Sequence, residues 1–316
     1  MYAFIARSLL RGVAVLLVVS FVTFTLVFGN GPGIARSVLS TQVGSQPTDA
    51  DVRVEMAKLG LDQPLLTQYG KWLGHAVTGD FGDSFFTNQP VTSILSVRAP
   101  VTLNLIILSL VVTLVASVLI GVLAAVRGGW IDRVIQFLAV LGAAVPPFVV
   151  GIALVFLFAV SMRLFPATGY VPFAQSPTDW ARSMTLPVLA ILLGTVANAA
   201  SQFRGAVLDT LSKDFVRTLR ARGIPESKIF FRHVLRNSAG PGLTVLSLQT
   251  ISLIGGAVFI EQVFSLPGLG AAGNTSAQQG DVPVVMGCVV VTIAIVLAVN
   301  LLADLANAAL NPKARA

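Results

Sequence analysis

Six runs of about 20 apolar residues, each long enough for a helix to cross a hydrocarbon core about 30 Å thick, decide what this chain can fold into. They cover residues 9–28, 101–126, 134–160, 186–208 (the least apolar), 243–264 and 284–308. In lipid every backbone polar group must be satisfied internally, and runs of this length meet that demand as helices. Composition agrees: 11% of the 316 residues are charged, against about 25% in a soluble domain. The expected fold is an all-α integral membrane protein with about six transmembrane helices.

Arg7 and Arg11 ahead of the first run resemble the charged flank of a secretory signal. No A-x-A cleavage pattern follows, and the run is long for a signal core, so it reads as a retained span. With a cytoplasmic N-terminus, fourteen Lys and Arg fall on inside segments and seven outside, five of the seven in one long outside segment where charge counts least. Both termini are therefore expected in the cytoplasm. The net charge of +7 follows from this asymmetry, and no aromatic platform accompanies the basic residues to suggest nucleic acid. Cys288, the single cysteine, allows no intrachain disulfide or cysteine-based metal site and reads as a small apolar residue.

The long outside segment, residues 30–99, reads as a small helical cap. Thr48 caps a helix with Asp49 and Asp51 in its first turn and Gly60 as its stop. Pro64 opens a second helix through Tyr69, Trp72 and Leu73, and Trp72 and Phe81 suit the membrane interface.

Residues 209–238 form a basic, polar insert between the fourth and fifth runs. Asp209 or Asp214 begins a helix reaching Arg222, Gly223 permits a left-handed turn, and Pro225 or Glu226 starts the next helix. Ile229, Phe230, His233 and Val234 make one apolar stripe. Eight basic residues, counting Arg204 just ahead of the insert, suffice to set topology; Gly223, Pro225 and the stripe add a compact knob suited to docking in a partner.

Polar residues within the spans are either pathway groups or interhelical hydrogen bonds: Asn104, Gln136, Asn198, Ser201, Gln202, Gln249 and Asn300. Asn198, Ser201 and Gln202 share a helix face. Arg204 is expected to reach the cytoplasmic interface. Asp304 pairs with a base or lines the mouth, and Glu261 lies near the outer end of the fifth run. Pro146-Pro147 interrupts the third run, either to bend it around a pathway or as a static kink.

The insert resembles the EAA loop of ATP-binding-cassette importer permeases, above all the first-permease subunit of the dipeptide, oligopeptide and nickel branch. The resemblance lies in Phe215-Val216-Arg217-Thr218-Leu219-Arg220-Ala221-Arg222-Gly223 and His233-Val234-Leu235-Arg236-Asn237. It extends to Gly79-Asp80-Phe81-Gly82-Asp83-Ser84 with Gln89-Pro90-Val91, and to Phe165-Pro166-Ala167-Thr168-Gly169-Tyr170. It continues through Glu261-Gln262-Val263-Phe264-Ser265-Leu266-Pro267-Gly268-Leu269-Gly270, Asn300-Leu301-Leu302-Ala303-Asp304 and Asn311-Pro312-Lys313-Ala314-Arg315. Leu219 stands where the family has a small Ala, Asn311 where it has Asp, and Gly29-Asn30-Gly31-Pro32 replaces its G-D-P.

The resemblance implies a type I importer permease fold in a bacterial cytoplasmic membrane, with no catalytic residue and no metal. Coupling to ATPase subunits is implied for Arg217, Thr218, Arg220, Ala221, Arg222, Gly223, Ile224, Pro225, Phe230 and His233. Candidate pathway or gate positions, for which interhelical bonding is the alternative among the polar ones, are Asn198, Ser201, Gln202, Gln249, Glu261, Pro267, Gly268 and Gly270. The implied partners are a second, homologous permease chain, two ATP-binding subunits or one two-domain ATPase carrying ATP and Mg, and an extracytoplasmic substrate-binding protein. The absence of G-x-x-x-x-G-K-[ST] agrees that this chain does not cradle ATP. The implied cargo is di- or oligopeptides, with nickel complexes, glutathione or another small solute as alternatives. An ion-coupled transporter would need acidic residues inside the spans, where essentially none occur. An intramembrane enzyme would need a motif such as H-E-x-x-H, which is absent.

Overall fold

The computed structural model describes residues 2–43 and 47–310, with the side chains of 2–6, 8, 9, 42, 43, 143, 239, 241–252, 254, 303, 304 and 306–310 left outside the description. The described chain is mostly helical, and its one β feature among the described residues is an isolated bridge between Asp83 and Pro90. The helices are α1 Tyr2–Phe28, α2 Gly31–Val43, α3 Asp49–Lys58, α4 Leu65–Val77, α5 Val91–Arg127, α6 Gly129–Ala144 and α7 Pro147–Leu154. They continue with α8 Pro177–Leu211, α9 Asp214–Ala221, α10 Glu226–Ile229, α11 Leu235–Val263, α12 Leu269–Gln279 and α13 Val282–Leu310. Wider π-helical turns extend α7 over Val155–Ser161 and join α10 to α11 over Phe230–Val234.

Among the described residues four helices are long and apolar enough to cross a membrane, within α1, α5, α8 and α13, and α6 with α7 forms a fifth, broken one. The break falls at the expected Pro146-Pro147, where the two halves are bent by 101°. Pro146 and Pro147 supply no N–H to continue the ladder of α6, and Pro147 opens α7 instead. The expected run 243–264 lies in α11, where most side chains fall outside the description. The chain is an all-α membrane protein.

The chain divides into two compact units. One comprises residues 6–102 and 267–295. Its core gathers Phe24, Ile34, Ala35, Val38, Val52, Leu61, Val282 and Met286, with Tyr69, Trp72 and Phe85 packed against it. Thr48 and Asp51 form a reciprocal capping box at the start of α3. Helix α2 was not anticipated; Asn30 Oδ1 accepts from the Gly33 N–H at 3.3 Å at its start, and Pro32 suits its first turn. Trp72 packs on this core beside Tyr69. Asp281, buried at the entry to α13, accepts from Ser84 Oγ at 2.5 Å and from the Phe85 N–H at 3.1 Å. Those bonds fasten the 80–90 loop.

The other unit comprises residues 1–5, 103–266 and 296–316. Within it α8 packs against α6, α7 and α11. Backbones approach closely where small residues permit: a Cβ on Gly142 of α6 would lie 2.8 Å from the Leu193 carbonyl oxygen of α8.

Candidate functional site

The 209–238 insert folds as a knob on the end of α8. Asp209 lies inside α8, which runs to Leu211, and Asp214 stands in the first turn of α9. There its charge suits the helix dipole. Helix α9 closes in a Schellman turn. The Gly223 N–H donates to the Arg220 carbonyl at 2.9 Å, and the Ile224 N–H to the Leu219 carbonyl at 3.3 Å. Gly223 takes φ +70°, the left-handed region a side chain disfavours. Pro225, at φ −56° and ψ 139°, leads into α10. The π-helical turn Phe230–Val234 then passes into α11 without a break.

The expected stripe divides. Ile229 and Val234 are fully buried with Val216, Phe203 and Val207, so they seat the knob on its own helix α8. Phe230, Leu219 and Ile224 pack at the edge of the same cluster, and His233 is half-buried. Leu219 therefore faces inward; its extra bulk over Ala fills the joint between turn and bundle. Ser238 Oγ adds a polar tie, bonding Ala206 O, Thr210 Oγ1 and Val234 O at 2.9–3.2 Å.

The outer surface of the knob consists of Arg217, Thr218, Arg220, Ala221, Arg222, Gly223 and Pro225, all exposed. Arg220 is committed locally, its Nε reaching Glu226 Oε1 at 2.6 Å and its Nη2 Oε2 at 3.2 Å. Each partner stabilises the other's charge: Glu226 is held below the usual carboxylate range and Arg220 above its ordinary value, both chiefly through this hydrogen bonding. Sequence reasoning passed over Phe231, which is 70% exposed beside Arg232 and packs edge-on to Phe230. An exposed aromatic ring beside an exposed arginine is the composition of an interface anchor.

The pathway candidates are divided between the two units. Ser201 donates to Gln136 on α6 at 2.7 Å, an interhelical bond. Gln202 is exposed and donates to Asn198 at 2.9 Å along the same helix. Asn104 donates to Tyr170 Oη at 3.3 Å, and Asn300 Oδ1 is buried without a hydrogen bond among the described residues. Glu261 is fully buried, and after it Ser265 closes α11 at φ +50° while the Leu266 N–H reaches the Glu261 carbonyl at 2.8 Å. Pro267, Gly268 and Gly270 belong to the other unit. There Pro267 is exposed, Gly268 precedes α12, and Thr102 Oγ1 accepts from the Leu269 N–H at 2.8 Å. The side chains of Gln249 and Asp304 and all of residues 311–316 lie outside the description.

Arg204 has a specific partner at its tip. It pairs with Asp132 in the first turn of α6, with Nε–Oδ1 and Nη2–Oδ2 both at 2.5 Å. Arg204 is the one charge in its apolar run, and Asp132 stands just ahead of the run before it; that opposition of sign was the available signal.

Residues 117–316 match the family described as binding-protein-dependent transport system inner membrane component, and residues 1–106 match the N-terminal region of such membrane components. A Brucella abortus (strain 2308) protein named as a peptide transport system permease is 36% identical over 316 residues, 100% of this chain and 99% of its own length. The oligopeptide transport system permease protein AppB of Bacillus subtilis (strain 168) is 34% identical over 317 residues, 99% of each chain. The dipeptide transport system permease protein DppB of Lactococcus lactis subsp. cremoris (strain MG1363) is 33% identical over 313 residues, covering 98% of this chain and 99% of DppB.

Proposed function

This chain belongs to the family of binding-protein-dependent transport system inner membrane components, and from that premise we propose that it is one permease subunit of an ATP-driven importer of di- and oligopeptides. It forms half of the translocation pathway beside a second, homologous permease. Two ATP-binding subunits, or one two-domain ATPase, carry ATP and Mg, and a separate extracytoplasmic protein delivers the peptide. The chain lies in a bacterial cytoplasmic membrane with both termini and the Gly223 knob in the cytoplasm. It contributes no catalytic group of its own.

The observation that carries the peptide reading is the similarity, end to end, to permeases named for peptide, oligopeptide and dipeptide transport. The coupling role draws support from the knob. Its two helices are closed by backbone hydrogen bonds at Gly223 and seated through Val216, Ile229 and Val234 on α8. Such a piece moves as a rigid body. Arg217, Arg222, Phe231 and Arg232 offer a partner both charge and an aromatic anchor. An ATPase that grips this face differently in its two nucleotide states thereby biases the bundle.

The test is to purify the chain with its co-purifying subunits, reconstitute the complex in vesicles and add the binding protein with labelled di- and tripeptides. ATP-dependent peptide accumulation is expected. Uptake driven by an ion gradient with no ATPase present would overturn the reading.

A further inference from the structure

We propose that Arg204 and Asp132 are positioning residues: a charged clasp that carries movement of the Gly223 knob from α8 into the broken span α6–α7. The inference rests on the knob receiving its push from ATPase subunits.

The placement of Arg204 is the first observation. Phe203, its neighbour, and Val207, one turn on, belong to the buried cluster that seats Val216, Ile229 and Val234 of the knob. The same stretch of α8 therefore grips the knob through Phe203 and Val207 and α6 through Arg204. Asp132 sits in the first turn of α6, where a negative charge suits the helix dipole.

The second observation is that the tie has two rungs. Ser201 bonds Gln136 at 2.7 Å, and Arg204 holds Asp132 at 2.5 Å. Residues 132 and 136 stand four apart on α6, and 201 and 204 three apart on α8, so the rungs occupy successive turns. Apolar contact alone lets packed helices slide and roll. Two directional ties one turn apart fix both displacement and rotation. Helix α5 closes on the same level: a Cβ on Gly121 would come within 2.7 Å of the Ala200 carbonyl oxygen. The pair connects helices that already have little freedom to separate.

The third observation concerns expense. The side chains are 26% and 17% exposed, at the start of one apolar helix and well inside another. A partly buried ion pair contributes little more than a well-packed apolar pair would, and often less. Stability is a poor reason for charge here; fixed register is a better one. Helix α6 leads to Pro146-Pro147, beyond which α7 departs at 101°. Displacement of the inner part of α8 thus reaches α6 without slip and is taken up at the proline break.

The experiment uses the complete reconstituted transporter with Asp132→Asn, Arg204→Gln, Arg204→Lys and the reversed pair Asp132→Arg/Arg204→Asp. Peptide uptake and ATP hydrolysis are measured together, with complex assembly checked by size-exclusion chromatography. In the neutralised variants uptake per ATP hydrolysed is expected to fall about 2- to 30-fold, the span that changes in coupling energy of this kind produce. The reversed pair is expected to exceed both, and Arg204→Lys, which keeps the charge but loses the fork, to fall between parent and Arg204→Gln. Parental uptake per ATP in the assembled variants would overturn the clasp, as would a reversed pair no better than either neutralised variant. Should the neutralised chains fail to assemble, Arg204→Lys decides: a parental ratio overturns the clasp and a reduced one supports it. An unmodified complex without ATP-driven uptake would overturn the importer reading, and the clasp with it.

Discussion

The N–H of Ile224 donates to the carbonyl of Leu219, five residues back, at 3.3 Å, and both side chains pack on the same buried cluster. The polar and apolar halves of the turn are thus closed by the same two residues, with Gly223 left-handed between them. Gly223→Pro forbids φ +70° and deletes the N–H that bonds Arg220. It is expected to leave the chain in the membrane while ATP hydrolysis continues without peptide uptake. Gly223→Ala meets no atom within 4 Å and carries only the backbone strain, about 1 kcal/mol, so most uptake is expected to survive. Parental uptake by Gly223→Pro in vesicles would contradict the coupling role.

Leu219→Ala restores the small residue usual in the family but removes an inward packing group. A loss of about 1–2 kcal/mol is expected, less than for a fully buried leucine. The knob should then be cleaved sooner by trypsin at Arg217, Arg220 or Arg222 than in the parent, with membrane insertion unchanged. Equal cleavage rates would place Leu219 outside the joint.

Glu226 is held below its ordinary 4.5 chiefly by its hydrogen bond to Arg220. A carboxyl depressed in the folded state contributes stability that is present above its unfolded value and lost as pH falls through the folded one. The small stability difference between parent and Glu226→Gln should therefore persist at neutral pH and vanish in acid. Melting curves of the two proteins across that range check it; a gap that widens in acid contradicts the sign.

Asp281 has the opposite sense. Burial pushes its carboxyl above the ordinary 3.8, partly offset by the Ser84 hydroxyl and by the N–H groups of Phe85 and Val284. A raised carboxyl contributes stability fully present below the unfolded value and lost as pH rises through the folded one. Asp281→Asn should remove that slope. Asp281→Ala strands buried donors and is expected to cost about 1–3 kcal/mol. Thermal melts at several pH values separate the two.

Topology is checked by single cysteines in a Cys288→Ser background, Cys288 being buried. A cysteine replacing exposed Arg232 should react with an impermeant maleimide only in inverted vesicles, and one replacing exposed Asp62 only in intact cells. Labelling of both from the same side would contradict the arrangement.

Much of the fold was legible because it is periodic or punctuated. Apolar length gave the spans, and Thr48-x-x-Asp51, Gly60 and Pro64 gave α3 and α4 their ends. Helix α2 was missed although Asn30 and Pro32 marked its start, and α12 because Pro267-Gly268-Leu269-Gly270 reads as loop while Thr102, distant in sequence, meets its first N–H. The sequence marked the knob through Gly223 and Pro225, but not the sides of its helices. An α-helical period through Ile229 and Val234 cannot anticipate a wider turn over Phe230–Val234, so the exposure of Phe231 was hidden. The Asp132–Arg204 pair was hidden for another reason: it joins two helices whose mutual rotation is set by packing at Gly142 and Gly194, not by either segment alone.

The π-helical turn at Phe230–Val234 makes the junction between knob and bundle an indexing joint. One residue more than an α-turn would hold turns everything beyond it by about 100° relative to an uninterrupted helix. The face carrying Phe231 and Arg232 and the face of α11 within the bundle are thus set at independent angles. Removing a single residue from this turn would swing Ile229 away from Phe203 and Val207, so the extra residue is what lets the knob and α11 both pack on α8.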